Sequence, residues 1–170
     1  EEILLRGSPR EELPYAEWYL KFMQRQGGAV ARYHAEHYGD APYTDFQQTF
    51  GRRVDEGWDP EAWADLFYSV GARYVVLVTK HHDGYTLWPS NVVNPNRDGW
   101  GSRRDLVGEL TAAVRTAGLR MGLYYSGGFD WPINDAVVRG VADMGLAVPR
   151  SPEYAAYCDA HLRELIQRYR

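Results

Sequence analysis

The sequence predicts an α/β fold with parallel strands that belongs to a larger β/α protein, and three observations carry this reading. Two short apolar runs, "YVVLVT" (74–79) and "RMGLYYS" (120–126), are too short for helices and lack polar alternation, as expected of parallel-sheet strands buried on both faces. Between them lies one amphipathic helical pattern, and strand, helix, strand in that order make a right-handed crossover. The last segment is a strong helical pattern with no strand after it. Two parallel strands cannot cover their own faces and edges, so as a stand-alone domain the architecture is incomplete.

Taken in order, residues 14–26, "PYAEWYLKFMQRQ", carry Trp18, Phe22 and Met23 at helical spacing until Gly27-Gly28 breaks the pattern. A second helical segment, 29–38, closes at Gly39. "DPEAWADLFYSVG" has Asp59 as N-cap, Pro60 at the first helical position, an inward stripe of Trp63, Leu66 and Phe67, and Gly71 as stop. The first apolar run follows, then a loop from Asp83 to Arg103 of about twenty residues, far longer than a βα turn needs, which favours a binding role. In "RRDLVGELTAAVRTAGLR", Asp105 is placed to cap the helix with Arg103 and Arg104 exposed beside it. Leu106, Leu110, Val114 and Ala117 share one face, and Gly118 ends the helix. Residues 132–149 read as a loop insertion with one helical turn. The final helix opens with Ser151-Pro152 and carries Tyr154, Tyr157, Cys158, His161, Leu162, Leu165, Ile166 and Tyr169 at helical spacing.

Composition narrows the function classes. The 170 residues suit one domain, and the net charge of −4 arises from mixed charges without a basic block, which argues against nucleic acid and anionic membrane as partners. No run of about eighteen apolar residues exists to span a membrane, and the N-terminus lacks the layout of a signal peptide. Residue 1 is glutamate, consistent with a leader or longer segment removed or not included. One cysteine, Cys158, excludes an internal disulfide and a multi-cysteine zinc site. Six tryptophans and thirteen tyrosines fill a core first, and secondarily suit the apolar faces of sugars.

Chemistry is expected at the carboxyl ends of the strands, where loops converge in parallel β/α architectures. His81, His82 and Asp83 follow the first strand; Tyr124, Tyr125 and Ser126 end the second. Adjacent residues on an extended chain point to opposite sides, so one of the two histidines aims into the mouth unless the chain bends. A zinc site wants a third ligand, and Asp83 is too near in sequence, while His34 and His37 of "YHAEHY" read as a half-exposed helix face. A general base needs a nucleophile, and no Gly-x-Ser-x-Gly elbow or activated cysteine lies near. Hydrogen bonding to a hydroxyl-rich ligand remains, with Tyr85, Trp88, Trp131 and Tyr124 as platforms; the bland alternative is that the histidines bond loop backbone. Carboxylates at or near this mouth are Glu17, Asp83 and Asp130, and glycoside hydrolysis generally needs two.

The segments "PYAEWY", "DPEAWADLF", "GARYVVLVTKHHDGYTLWPS", "RRDLVGEL", "AGLRMGLYYSGGFDW" and "ELIQRYR", in this order, resemble the glycoside hydrolase family 29 α-L-fucosidases over residues 14–170. The resemblance implies that residues 1–170 are part of one catalytic domain, a partial (β/α)8 TIM-like barrel. It also implies retaining hydrolysis of terminal α-L-fucosyl linkages through a covalent fucosyl-aspartate, without a metal or other cofactor. By matching position, His81, His82, Tyr124, Glu17 and Trp18 bind the sugar, and Glu17 is also a candidate acid/base. The partner implied is a fucosylated oligosaccharide or glycoconjugate, and an oligomer is compatible with the family. Family members are secreted, periplasmic, lysosomal or cytoplasmic, which leaves the compartment open. The family's first strand, with a further sugar-binding histidine, and its nucleophilic aspartate, in a segment like "LWNDxxW", are expected outside these residues, so the chain alone is expected to be inactive. A fucose-binding or inactive homologue lacking the nucleophile is the alternative, and a metal-dependent β/α hydrolase using the histidine pair a weaker third.

Overall fold

The structure is a computed structural model that describes residues 18–138 and 141–170. Along the chain run helices α1 (Tyr19–Met23), α2 (Ala29–Tyr38), α3 (Phe46–Gly57) and α4 (Pro60–Ser69), strand β1 (Tyr74–Lys80), helix α5 (Leu106–Thr116), strand β2 (Arg120–Tyr125) and helix α6 (Pro152–Tyr169). The class is α/β, with β1 and β2 paired in parallel.

Register runs from Tyr74 opposite Arg120 to Val78 opposite Tyr124, then slips so that Lys80 faces Tyr125. The strands are adjacent because α5 packs back on them. Asp59 and Asp105 cap α4 and α5, accepting from the backbone of Ala62 and Gly108 at 2.9 Å each. Leu110, Ala113 and Val114 of α5 meet Ala64 of α4, with Val75, Leu77 and Met121 of the strands against them. Each fully buried Leu or Val in this layer contributes about 1.5–3 kcal/mol.

Several expectations change. Within these residues β1 is covered on one face: α4 and α5 pack against Val75 and Leu77, while Tyr74 is 67% and Val76 53% exposed. On α4, Trp63 and Leu66 are exposed, and Ala64 with Phe67 makes the contact to α5, since a small residue lets the helices approach. On α6 the buried stripe is Tyr154, Tyr157, His161, Leu165 and Tyr169; Leu162 and Ile166 lie round the helix and are exposed. Helix α1 is shorter than residues 14–26 suggested, starting at Tyr19 and losing its pattern before Gly27; residues 14–17 lie outside the described ones. Arg104 is held by Glu109 at 2.8 Å rather than fully exposed. Helix α3 carries Phe46, Phe50 and Val54 at i, i+4, i+8, a period obscured by Gly51 and four charges. Among its described residues the insertion after β2 contains a short 3₁₀ helix, Val141–Leu146. Among the described residues no helix is long and apolar enough to cross a membrane.

Helix α6 reaches back over both βα loops. Glu164 accepts from Trp88 Nε1 at 3.0 Å, from Ser90 Oγ at 2.5 Å and from the Asn91 backbone at 2.8 Å. Burial pulls its carboxyl up, but those three donors and Arg168 hold it below the usual carboxylate range. The Tyr169 hydroxyl donates to Asp105 Oδ1 at 2.7 Å, tying the end of α6 to the start of α5.

Candidate active site

The site begins where β1 ends. The Gly84 N–H donates to His81 O at 3.1 Å, closing a turn, so the chain bends and the alternation of an extended strand no longer applies. Both imidazoles therefore lie on one side, ring centroids 3.9 Å apart. Gly84 has φ +77°, and a Cβ there would meet Asp130 Oδ1 at 2.9 Å and Pro132 Cγ at 3.1 Å, so only glycine fits the turn. Asp83 braces it from outside, accepting from the Tyr85 backbone at 3.1 Å and the Tyr43 hydroxyl at 3.0 Å.

His82 is partly buried and held at several points. Its Nδ1 is 2.8 Å from Ser126 Oγ, and its carbonyl accepts from the Trp131 N–H at 2.7 Å. Trp18, Phe129 and Trp131 stand edge-on to the ring at 5.8, 5.1 and 5.4 Å. Burial first, then the neighbouring His81 and the Lys80 charge, push its pKa down to about 4. At neutral pH the ring is uncharged and offers one donor and one acceptor. His81 lies nearly parallel to Tyr124 with centroids at 6.0 Å, and Tyr124 is exposed.

Beneath the histidines lies an ion pair with no solvent contact. Lys80 Nζ is 2.8 Å from Asp130 Oδ2 and donates to Ser126 O at 2.9 Å, and both side chains are 0% exposed. Burial pushes the Asp130 carboxyl up while Lys80 pulls it down. The expectation of Asp130 as a mouth carboxylate is thereby corrected: it is sequestered by the lysine preceding the histidines. Trp88 is also no platform, being fully buried with its indole on Glu164. Trp131 is buried too, packing on Trp18 at 5.1 Å and under Lys21 Nζ at 4.9 Å. His34 is buried rather than half-exposed, bonded to the Tyr19 hydroxyl at 2.9 Å and Ala41 O at 2.8 Å. Among the described residues no group of three or more His, Cys, Asp or Glu is placed to hold a metal ion.

Trp18, His81, His82 and Tyr124, from three separate segments, thus converge at the carboxyl end of the strands; Glu17 lies outside the described residues. Phe129 and the role of Ser126 were not foreseen, although Ser126 follows β2 directly and its position at a strand end was the available signal. Beside His81 opens a cavity of about 340 Å³ lined by Tyr43, Phe46, Phe50, Tyr85 and Trp100.

An α/β scaffold with uncharged imidazole and exposed aromatic faces at its strand ends has the chemistry of a site for a neutral, hydroxyl-rich ligand. The comparisons are specific. The sequence model of the family described as alpha-L-fucosidase matches residues 6–170, and the chain belongs to that family, glycoside hydrolase family 29. It is 46% identical over 122 residues to an alpha-L-fucosidase of Dictyostelium discoideum, covering 69% of this chain and 26% of that one. To the tissue alpha-L-fucosidase of Rattus norvegicus it is 47% identical over 119 residues, covering 68% and 25%. The structure superposes on the Thermotoga maritima alpha-fucosidase in complex with fucose with a TM-score of 0.85 at 39% identity, covering 94% of this chain and 37% of that chain. The chain therefore spans about a quarter of the length of these curated relatives.

Proposed function

We propose that the chain is part of a single (β/α)8 TIM-like catalytic domain of a retaining α-L-fucosidase and supplies part of its fucose pocket. The observation that carries this is the convergence of Trp18, His81, His82 and Tyr124, each at a position matching a sugar-binding residue of the family, around one mouth. His81 and His82 hydrogen-bond fucose hydroxyls, while Trp18 and Tyr124 face its apolar surfaces. Glu17, next to Trp18 in sequence, is proposed as a further sugar contact and candidate acid/base on its sequence match. The substrate class is a terminal α-L-fucoside of an oligosaccharide or glycoconjugate.

In the proposed reaction an aspartate outside these 170 residues attacks the anomeric carbon as a carboxylic acid protonates the departing glycosidic oxygen. The same acid, now a base, takes a proton from the water that releases fucose. The role of this chain is to hold the ring so that the anomeric carbon meets that aspartate.

The test has two arms. L-fucose added to the 15N-labelled polypeptide is expected to shift the signals of His81, His82 and Trp18, and His82→Ala to weaken binding roughly tenfold or more, as for a charge-free hydrogen bond plus lost packing. Absence of any shift would remove the pocket. Release of 4-nitrophenol from its α-L-fucoside by this polypeptide alone would refute the placement of the nucleophile elsewhere.

A further inference from the structure

We infer that Ser126 is a positioning residue of the sugar site: its hydroxyl donates to Nδ1 of His82 and holds the imidazole as the Nε2–H tautomer, so that His82 offers the ligand a donor rather than an acceptor. The statement about the ligand rests on the fucose-pocket reading above; the tautomer itself does not.

Ser126 is pinned before its side chain is considered. Its backbone N–H donates to Lys80 O at 3.0 Å, and its carbonyl accepts from Lys80 Nζ at 2.9 Å, with Lys80 fixed in turn by Asp130 at 2.8 Å. The residue is buried, and the 2.8 Å contact with His82 Nδ1 is the one side-chain hydrogen bond its hydroxyl makes among the described residues. That singleness decides the direction. A serine hydroxyl carries a proton that needs an acceptor and lone pairs that do not oblige a donor. If Nδ1 carried the imidazole proton, Ser126 would accept it and leave its own proton buried without an acceptor, at a cost large enough to exclude that arrangement from more than a minor population. If Nδ1 is the lone pair, the hydroxyl proton is satisfied and Nε2 carries the ring proton.

The ring cannot escape by turning over. Trp18, Phe129 and Trp131 contact it edge-on, and the Trp131 N–H holds its backbone. The hydrogen bond made by one imidazole nitrogen sets the protonation of the other, and here that bond comes from the residue just past the neighbouring strand. A sugar oxygen with a free lone pair is the matching group for Nε2–H.

Two-bond 1H–15N correlation on the 15N-histidine-labelled chain at neutral pH reads the tautomer directly. Expected is a His82 spectrum with Nε2 in the pyrrole-like range and Nδ1 in the pyridine-like range, replaced in Ser126→Ala by averaged shifts and restored in Ser126→Thr, which keeps the hydroxyl. Fucose binding is expected to weaken about fivefold to tenfold in Ser126→Ala and to recover in Ser126→Thr. A wild-type Nδ1–H tautomer, or a tautomer unchanged in Ser126→Ala, overturns the assignment. A wild-type Nδ1–H result overturns it even if a variant fails to fold. An Nε2–H tautomer with no response to fucose would uphold the tautomer and overturn the fucose reading instead.

Discussion

Removing one member of the Lys80–Asp130 pair tests the frame under the histidines. Both side chains have no solvent contact, and the 2.8 Å separation leaves no room for water between them. Asp130→Asn keeps the shape but strands the Lys80 ammonium, which retains the Ser126 carbonyl at 2.9 Å. Breaking a buried pair in this way costs about 3–5 kcal/mol. At about 2–4 °C per kcal/mol for a chain of this size, that is a fall in Tm of roughly 6–20 °C. Lys80→Met leaves the carboxylate alone; burial already pushes Asp130 up, so it takes a proton and its loss should fall at the lower end of that range. The double variant Lys80→Met/Asp130→Asn buries neither charge and should cost at least about 2 kcal/mol less than the two single losses together. Urea unfolding of the four proteins gives the cycle. Single losses below about 1 kcal/mol, or a double variant that is simply additive, would refute the pair as the clamp.

Other expectations follow from the same geometry. Gly84→Ala, at φ +77° and with its Cβ 2.9 Å from Asp130 Oδ1, should destabilise by at least about 1–2 kcal/mol in thermal unfolding and shift the His81 and His82 signals. Glu164→Ala strands the buried Trp88 indole N–H and frees Ser90 and Asn91; a loss of about 2–3 kcal/mol is expected, with faster amide exchange confined to residues near 88–91. His161, fully buried beside Tyr125, has its pKa pushed down from 6.5 to about 4 by burial first and then by Lys80. A depressed histidine pKa means the unfolded chain takes up the proton first. Stability is therefore whole above pH 6.5 and falls as pH drops towards 4, by about 3 kcal/mol for this residue, with a smaller share from the half-open His82. His161→Phe should flatten that slope in Tm measured against pH.

Much of the scaffold was legible because it is local. Asp59-Pro60, Asp105, Ser151-Pro152 and the closing glycines mark helix ends through backbone chemistry that needs no partner. The parallel pairing of β1 with β2 followed from run length and the helix between them. What failed was everything set by who packs against whom. Periodicity gives a stripe but not its centre: on α4 Trp63 and Leu66 were assigned inward while Ala64 took the contact, and on α6 Leu162 and Ile166 share the helical spacing of His161 and Leu165 yet lie exposed. At the site, position at the strand ends brought His81, His82 and Tyr124 forward, but the turn that aligns the two rings depends on Gly84 meeting Asp130. That partner is 46 positions away and invisible to any local pattern. Asp130 and Trp88 looked available because carboxylates and indoles in loops usually are; Lys80 and Glu164 withdrew them.

The bonds that shape the histidine turn have a kinetic meaning. Ser126 to His82, Trp131 to His82 and Lys80 to Asp130 all join residues more than forty positions apart, whereas the helices that carry the core form from near neighbours. Contacts of long sequence separation are closed late, after local structure has lowered the entropy of bringing them together. During refolding the helical signal should thus return before the His82 environment does, with an interval in which the chain is compact and helical while the mouth at its strand ends is still unformed. The shape of the histidine turn is a property of the last bonds to close.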